Sequence, residues 1–364
     1  MTDAPLAGLK ICDFSELLPG PFLSQCLAEM GAEVTKVERP PHGDAIRHAS
    51  PGLFRLVNRG KGSVALNLKD DADRAAALDL VREYDVMIDG FRPGVMDRLG
   101  VGWDAVSAVN PRLIYIGMYG YGATGPMAKA PGHDVNYLAL SGAAALSGHP
   151  GGAPEHTFGL PVADLGGALY GLSAVLAAVI QRDRTGKGQF IDLSITDCLA
   201  HWANTRRAVY DAAGATDLEA QRRIALVRPA YGIFATSDGG ALSIAALEGH
   251  FWTALKAALD MGAFADPKYD DMSARRAEAE AINAQIAGQI AGMTRDAAMV
   301  VMDANDVPAS PVLAPSEAAA SEHFAARGLM QDSVAGPITP FPVRLSGMGL
   351  FDKGTPDLDQ GPKA

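Results

Sequence analysis

Seven of the Lys and Arg side chains in the first hundred residues of an otherwise acidic chain are candidates for an anion-binding group. They are Arg39, Arg55, Arg59, Lys61, Lys69, Arg92 and Arg98. The 364 residues carry a formal net charge of −11, which repels phosphate backbones, so nucleic acid is not expected as a partner. A local group of cations can still bind a small anion, and the planar fork of arginine donates two hydrogen bonds to one phosphate. The pattern predicts a phosphate-bearing ligand, unless these are separate solvated surface charges.

The turn at residues 17–21 resembles the start of a dinucleotide-binding unit but lacks its glycines. That unit needs three glycines so that the backbone can approach a pyrophosphate. Here the turn reads Leu-Leu-Pro-Gly-Pro, and its prolines remove N–H donors where a phosphate would need them. The strand that follows ends in Glu38 and continues with Arg39. NAD binding is therefore not expected.

Three cysteines, Cys12, Cys26 and Cys198, have neither metal-site spacing nor a CxxC pair. We expect small buried side chains, a reducing compartment and no metal. Residues 1–10 lack the segments of a secretory signal, which favours a cytoplasmic location. The longest apolar run, 165–180, is short for a membrane span and contains several small residues. It predicts a buried helix and no membrane partner.

Alternating strand-like and helical segments predict a parallel sheet covered by helices. The strand candidates are 9–14, 33–37, 63–68, 85–88, 113–118 and 190–193. The helix candidates are 22–30, 71–84, 137–146, 165–182 and 198–213. The fold class is therefore α/β.

The pattern changes near Tyr231, where short strands flank a turn at 237–240 and helices are predicted at 249–259 and 274–291. We predict a large domain over 1–223, a small α+β domain over 224–324 and a C-terminal segment over 325–364. That segment is rich in Pro and Gly, and either returns to the large domain, as we predict, or lies over the surface.

An ordered set of short motifs spans nearly the whole chain. They are LPGP at 18–21, MGAEVTKVE at 30–38, NRGK at 58–61, LNLK at 66–69, FRPG at 91–94, RLG at 98–100, YGATGP at 121–126, TGKGQ at 185–189, VP at 307–308, PV at 311–312 and ARGL at 326–329. In this order they resemble the class III CoA-transferase (CaiB/BaiF) superfamily, which includes carnitine CoA-transferase, formyl-CoA transferase and α-methylacyl-CoA racemase. The resemblance implies a Rossmann-like large domain, a small domain, an interlocked homodimer, acyl-CoA substrates and no metal or organic cofactor.

The resemblance also implies where CoA would lie. Arg39 would be near the adenine and the 3′-phosphate, and Arg98 near the phosphates. The CoA path would be lined by Leu66, Asn67, Leu68, Lys69, Gly90, Phe91 and Arg92. Asp134, Asn136 and Tyr137 would shape the site beside Gly132, with Asn136 or Tyr137 in contact with CoA.

Three residues match catalytic positions of the family. Asp164, in VADLGG at 162–167, matches the aspartate nucleophile of the transferases, although it could also be the N-cap of the helix that follows. His133 lies in GHDVNY at 132–137, which closely resembles a racemase string. Glu248, in ALEGHF at 246–251, resembles a glutamate that racemases contribute from the small domain.

The set favours a racemase of 2-methylacyl-CoA thioesters in fatty acid metabolism. Inversion needs an acid–base group on each face of the α-carbon, and His133, with an ordinary pKa of about 6.5, can serve on one. Asp164 would serve on the other if burial raises its pKa, while Glu248 would orient His133, in cis or from the partner chain. N–H groups at a helix N-terminus would stabilise the enolate oxygen.

Two alternatives stay open. The first is a CoA-transferase that moves CoA from an acyl-CoA to a free carboxylic acid, with Asp164 as nucleophile. The second is a CoA-thioester binding or scaffold protein without chemistry, which the presence of His133, Asp164 and Glu248 argues against.

Overall fold

The chain folds into two compact units. The computed structural model describes residues 4–155, 159–334, 336–343, 345–346 and 351–360. One unit comprises Met1–Ala144, His156–Thr205 and Ala325–Ala364, and the other comprises Ala145–Glu155 and Arg206–Phe324. The predicted boundary at 223/224 is therefore wrong, and residues 145–155 belong with the second unit. Their carbonyl groups explain the assignment, because the Arg222 guanidinium donates hydrogen bonds to four of them.

A six-stranded parallel sheet forms the centre of the first unit. Its strands are β1 (Lys10–Asp13), β2 (Glu33–Glu38), β3 (Gly62–Ala65), β4 (Val86–Asp89), β5 (Ile114–Tyr119) and β6 (Gln189–Ser194). They lie in the order β3-β2-β1-β4-β5-β6. This confirms the α/β class and the Rossmann-like topology. The order reverses between β1 and β4, and sheets of this kind bind ligands beyond the carboxyl ends of their strands at that point.

Nine helices occur in the described residues up to 213. They are α1 (Pro19–Glu29), α2 (Ile46–Ala49), α3 (Pro51–Asn58), α4 (Asp71–Arg82), α5 (Val95–Arg98), α6 (Trp103–Val109), α7 (Asp134–Leu140), α8 (Val162–Thr185) and α9 (Ile195–Ala213). The helix predicted at 137–146 begins earlier and ends sooner, since Gly142 has a φ of +84° that a continuing helix does not allow.

The central strands β1, β4 and β5 are buried on both faces of the sheet, which explains their largely apolar character. Ile11, on β1, packs in the core beneath α1 and α8, whereas its neighbour Cys12 packs in the core on the opposite face. Cys12 and Cys26 are buried, as predicted, but Cys198 is only partly buried.

Helix α8 is buried on one side only, which corrects the prediction of a buried helix. Gly171 and Val175 lie in the interior, whereas Leu169 and Ile180 are 45% and 54% exposed. By length and composition alone, α8 is the helix in the described ranges that could cross a membrane. That test is weak evidence, because the core helix of a soluble protein passes it as well.

The described part of the C-terminal segment packs against the first unit. Phe351 belongs to the core beneath α1 and α8, and the N–H of Phe341 donates to the Glu29 carboxylate (2.7 Å). The Asp359 carboxylate accepts from the N–H of Ala65 on β3 (2.9 Å). Two short strands, β10 (Gln331–Ser333) and β11 (Gly336–Ile338), pair antiparallel within this segment.

The second unit has a three-stranded antiparallel sheet in the order β7-β8-β9 and its own apolar core. Its strands are β7 (Tyr231–Ala235), β8 (Ala241–Ala245) and β9 (Ala309–Pro311). The further helices of the chain are α10 (Leu218–Leu226), α11 (Gly249–Ala258), α12 (Met272–Ala277), α13 (Ala279–Ile290), α14 (Arg295–Ala304), α15 (Pro315–Ala319) and α16 (Glu322–Ala326). The helix predicted at 274–291 is two helices, since Glu278, at φ −111° and ψ 22°, is not helical.

Candidate active site

The loops that follow β1 and β4 meet at the carboxyl edge of the sheet. A Cβ added to Gly90 would approach Ser15 Cβ to 2.8 Å, so this close packing requires glycine after β4. The contact brings the segment that ends in Glu16 against the loop that carries Phe91 and Arg92. Two cavities open beside this junction.

The first, called the cation-lined cavity, has a volume of about 380 Å³ and is lined by Arg39, Lys69 and Arg98. Phe14, Val37 and Leu99 contribute apolar walls. The structure thus brings together seven residues that the sequence assigned to CoA: Arg39, Leu66, Asn67, Leu68, Lys69, Phe91 and Arg98. Three cations around an apolar pocket can hold a phosphorylated nucleotide.

Two of the seven predicted phosphate-binding cations are instead buried in ion pairs. Arg59 is paired with Glu29, and Lys61 is 3.1 Å from the Asp13 carboxylate. The Lys61 ammonium also donates to Ser24, Asn58 and the Pro21 carbonyl. Both side chains therefore stabilise the interior of the first unit. Neither of them is a phosphate ligand or a solvated surface charge, the two roles that the sequence left open. Arg55 is exposed and lines neither of the two cavities.

The second, called the Asp164 cavity, has a volume of about 300 Å³. Its lining includes seven residues that the sequence assigned to the site: Gly90, Phe91, Arg92, Gly132, His133, Tyr137 and Asp164. Tyr119 and Tyr121 lie in the same wall. Glu16 and Phe91 line both cavities, so one extended ligand could occupy the two.

Asp164 is the third residue of α8, so the prediction that it could cap the helix is wrong. The cap is Asp134, whose Oδ1 accepts from the N–H groups of Ala163 (2.7 Å) and Asp164 (3.0 Å). Burial, as the largest cause, and the charge of Asp134 together raise the pKa of Asp164 to about 7. Asp134 thus acts on Asp164 and lines neither cavity.

The first N–H groups of α8 are all engaged. The Val162 and Leu165 N–H groups donate to the carbonyls of Leu160 (2.8 Å) and Pro161 (3.0 Å), and those of Ala163 and Asp164 donate to Asp134. The end of α8 beside Asp164 therefore offers none of these donors to a substrate oxygen.

His133 precedes α7 and has an exposed ring in the Asp164 cavity. Its N–H donates to Asn136 Oδ1 (3.0 Å), so Asn136 fixes the backbone that carries His133 and lines neither cavity. The Tyr137 hydroxyl donates to the Gly132 carbonyl (2.7 Å), and the Tyr137 ring meets Tyr121 edge-on at 5.2 Å. Burial raises the pKa of Tyr137 to about 12, so its hydroxyl remains a donor near neutrality.

Glu248 belongs to the second unit, where it immediately precedes α11. The buried Arg275 guanidinium donates to the carbonyl of its neighbour Leu247 (2.9 Å) and fixes this backbone. A contact between Glu248 and His133, from the same chain or a partner, stays a prediction.

The sequence analysis missed Asp89, a buried carboxylate at the end of β4. It accepts from the Phe91 N–H (2.8 Å) and from the hydroxyls of Tyr115 (2.8 Å) and Tyr119 (3.3 Å). Burial outweighs these hydrogen bonds and raises the pKa of Asp89 to about 6. Because Phe91 and Tyr119 line the cavities, the hydrogen bonds to Asp89 fix the positions of two lining residues. The sequence feature that could have identified Asp89 is an aspartate at the end of an apolar strand, separated by one glycine from the FRPG motif.

The geometry joins a cation-lined pocket to a partly buried carboxyl group of raised pKa and an accessible imidazole. Such a site can bind a phosphorylated ligand at one end and carry out nucleophilic or acid–base chemistry at the other.

Known proteins resemble this chain over nearly its whole length. The chain is 33% identical to the acetyl-CoA:oxalate CoA-transferase of Acetobacter aceti, over 98% of this chain and 93% of the relative. It is 31% identical to the succinate–glutarate CoA-transferase of Agrobacterium fabrum, with the same two coverages. The human α-methylacyl-CoA racemase is 30% identical, over 93% of this chain and 86% of the relative.

A crystal structure of a CaiB/BaiF family protein from Brucella suis has a TM-score of 0.85 and 31% identity, covering 98% of this chain and 97% of that one. The sequence profile of CoA-transferase family III matches residues 6–361. Residues 6–361 are nearly the whole chain, and the chain therefore belongs to CoA-transferase family III.

Proposed function

We propose that this protein transfers CoA from an acyl-CoA to a free carboxylic acid, with Asp164 as the nucleophile. The observation that carries the proposal is the Asp164 carboxyl group in a cavity that shares Glu16 and Phe91 with the cation-lined cavity. The transferases of Acetobacter aceti and Agrobacterium fabrum, which match 98% of the chain, support transfer over the racemization that the sequence favoured.

In the first half of the reaction, the Asp164 carboxylate attacks the thioester carbonyl carbon. The C–S bond breaks, which leaves CoA thiolate and a mixed anhydride between the acyl group and Asp164. The thiolate then attacks the Asp164 carbonyl carbon, the anhydride C–O bond breaks, and the donor leaves as a carboxylate. Asp164 is now a CoA thioester.

In the second half, the acceptor carboxylate attacks this aspartyl thioester and releases CoA thiolate with formation of a second anhydride. The thiolate attacks the acceptor carbonyl carbon, and the Asp164 carboxylate is regenerated. Every step uses side chains and substrates, with no metal or organic cofactor. The raised pKa of about 7 leaves a substantial ionised fraction of Asp164 near neutrality, and its weak solvation favours attack.

A second candidate, racemization of 2-methylacyl-CoA, is favoured by one observation: His133 and Asp164 line the same cavity. One would remove the α-proton while the other delivers a proton to the opposite face of the enolate. Glu248 would then orient His133.

One set of reactions distinguishes the candidates. The enzyme is incubated in D2O with (R)-2-methyldecanoyl-CoA, with and without oxalate or succinate, and followed by proton NMR and chromatography. A new CoA thioester that forms only with the added acid supports transfer. Exchange of the α-proton without acid, with both enantiomers formed, would instead establish the racemase.

His133→Ala sharpens the same comparison. Transfer needs no proton from the α-carbon, so we expect this variant to keep transfer within about tenfold of the wild type, whereas racemization would be lost. Asp104→Asn, on the exposed side of α6, is the matched control and should change neither reaction.

We also propose a homodimer in the cytoplasm. Leu169 and Ile180 on α8, with Trp202 on α9, are 43–54% exposed, and a second copy would cover such large apolar side chains. Light scattering after size-exclusion chromatography tests this, and a monomer at micromolar concentration would contradict it.

A further inference from the structure

Glu16 occupies the junction of the two cavities. It lies three residues beyond β1, and its backbone packs against Gly90, the residue that follows β4. Glu16 and Phe91 are the two residues that line both the cation-lined cavity and the Asp164 cavity. A ligand that extends from one cavity to the other must pass them.

The Glu16 carboxylate is free to accept a hydrogen bond from such a ligand. Among the described residues, no backbone or side-chain group donates a hydrogen bond to it, in contrast to Asp13, Asp89 and Asp134. Burial, as the largest cause, and the charge of Asp44 raise the pKa of Glu16, and the nearby Lys36 and Arg39 act in the opposite direction. Partial burial reduces the access of water to this carboxylate, and no described protein group replaces the lost hydrogen bonds.

The chemistry of the junction fits the middle of a CoA molecule. A carboxylate repels phosphate, so the phosphates belong with Arg39, Lys69 and Arg98 on one side. The thioester belongs with Asp164 on the other. Between them CoA has the uncharged pantetheine arm, with two amide N–H donors and a dimethyl group. Glu16 offers an acceptor to the amides, and the Phe91 ring offers an apolar surface to the methyl groups.

We propose that Glu16 recognises the pantetheine arm by accepting a hydrogen bond from one of its amide N–H groups. This inference rests on the proposed acyl-CoA substrate. It makes Glu16 a specificity residue that distinguishes CoA thioesters from thioesters without amides.

Calorimetric titration of two ligands tests the proposal without any need for turnover. CoA contains the arm, whereas 3′,5′-ADP contains the nucleotide without it. We expect Glu16→Ala to weaken CoA binding by about 10- to 100-fold, the usual range for a hydrogen bond to a charged group. The affinity for 3′,5′-ADP should remain within about twofold. Glu16→Gln, which keeps an acceptor oxygen, should recover part of the CoA affinity.

Arg39→Ala is the reciprocal control and should weaken both ligands. A purely electrostatic role for Glu16 predicts the opposite sign, because removal of a negative charge beside the cations would tighten both ligands; that result would overturn the proposal. Unchanged CoA binding in Glu16→Ala would overturn it as well.

The design separates this inference from the proposed reaction. A wild-type protein that binds neither ligand contradicts both proposals. If the wild type binds CoA and Glu16→Ala loses that binding, Glu16 has the proposed role even when no CoA transfer is detected. Thermal unfolding of each variant shows whether it is folded.

Discussion

Asp13 and Asp164 are both shielded from water in the first unit, yet their acidities are opposite. Burial alone would raise the pKa of Asp13, but Lys61, Lys36 and the hydroxyls of Ser15 and Ser24 outweigh it and lower the pKa to about 2. Among the described residues no cation acts on Asp164 in this way, and burial and the charge of Asp134 raise its pKa to about 7.

The difference separates a structural carboxylate from a reactive one. Asp13 is fixed as an anion whose oxygen atoms are already occupied by donors, so it can hold the segment after β1 but has little capacity to react. Asp164 gains little from ionization, and an anion that is poorly solvated in the folded protein is a better nucleophile. The catalytic candidate is thus distinguished by the stabilising partners it lacks.

The largest expected effect is the loss of reaction in Asp164→Asn. The amide cannot form the anhydride or the CoA thioester, so we expect acid-dependent CoA transfer to fall by about 1000-fold or more. Intact-mass spectrometry of the wild type, mixed with acyl-CoA but no acceptor, should reveal a covalent adduct that the variant lacks. A variant that retains transfer above a few per cent would exclude Asp164 as the nucleophile.

Lys61→Met tests the structural role of Asp13, because the variant leaves this buried carboxylate without its ion pair. Loss of one partner from a buried pair should destabilise the fold by about 3–5 kcal/mol. The free energy of unfolding in urea measures this. Arg82→Met is the control, because its pair with Asp79 is exposed and should contribute less than about 1 kcal/mol. Equal effects in the two variants would contradict a structural role specific to Lys61.

The sheet and its helices could be predicted because the signal is local. The central strands β1, β4 and β5 are buried on both faces and appear in the sequence as short, largely apolar runs, and the helices between the strands have the 3.6-residue spacing. The predicted strands at 9–14 and 33–37 correspond to β1 and β2 within one or two residues. Helix ends were less predictable, as at 137–146, because one left-handed glycine can end a helix.

The roles of buried polar residues could not be predicted, because their partners are distant in sequence. Asp134 caps α8 from 29 and 30 residues away, and Lys61 meets Asp13 from 48 residues away. Nothing near Lys61 distinguishes it from Lys69, although one is an interior ion pair and the other lines a cavity. Composition identified a group of cations, and only the fold determines which of them can meet a ligand.

A third prediction concerns how Asp164 changes stability with pH. Its pKa is about 7 in the folded protein against an ordinary value of 3.8, so between these pH values the folded state binds more protons at this group than the unfolded chain. The contribution of Asp164 to stability therefore decreases as the pH rises through this window. Asp164→Asn should therefore change the free energy of unfolding more favourably at pH 8 than at pH 4, with a difference of up to about 3 kcal/mol. Urea unfolding at both pH values measures it, and an effect independent of pH would contradict the raised pKa.

Asp134→Asn tests the smaller, electrostatic part of the same shift. The amide oxygen can still cap α8, but the negative charge near Asp164 is gone, so the pKa of Asp164 should fall. Because transfer needs the carboxylate, kcat/KM decreases as the pH falls through this pKa. The acid limb of the pH profile should therefore move to lower pH, by about one unit or less. A variant with reduced activity and an unmoved acid limb would show that Asp134 acts through the fold alone.

The smallest expected effect separates two arginines that the sequence treats alike. Arg39 lines the cation-lined cavity, whereas Arg55 is exposed and lines neither cavity. Loss of one phosphate contact should make Arg39→Ala raise the KM for acyl-CoA about tenfold, or 1.4 kcal/mol, with little change in kcat. Arg55→Ala should match the wild type. The effect of Arg39→Ala should disappear with acyl-pantetheine, because this substrate has no nucleotide and therefore no phosphate for Arg39 to bind. If it persists, Arg39 supports the cavity wall rather than the ligand, and the nucleotide end of the site lies with Lys69 and Arg98.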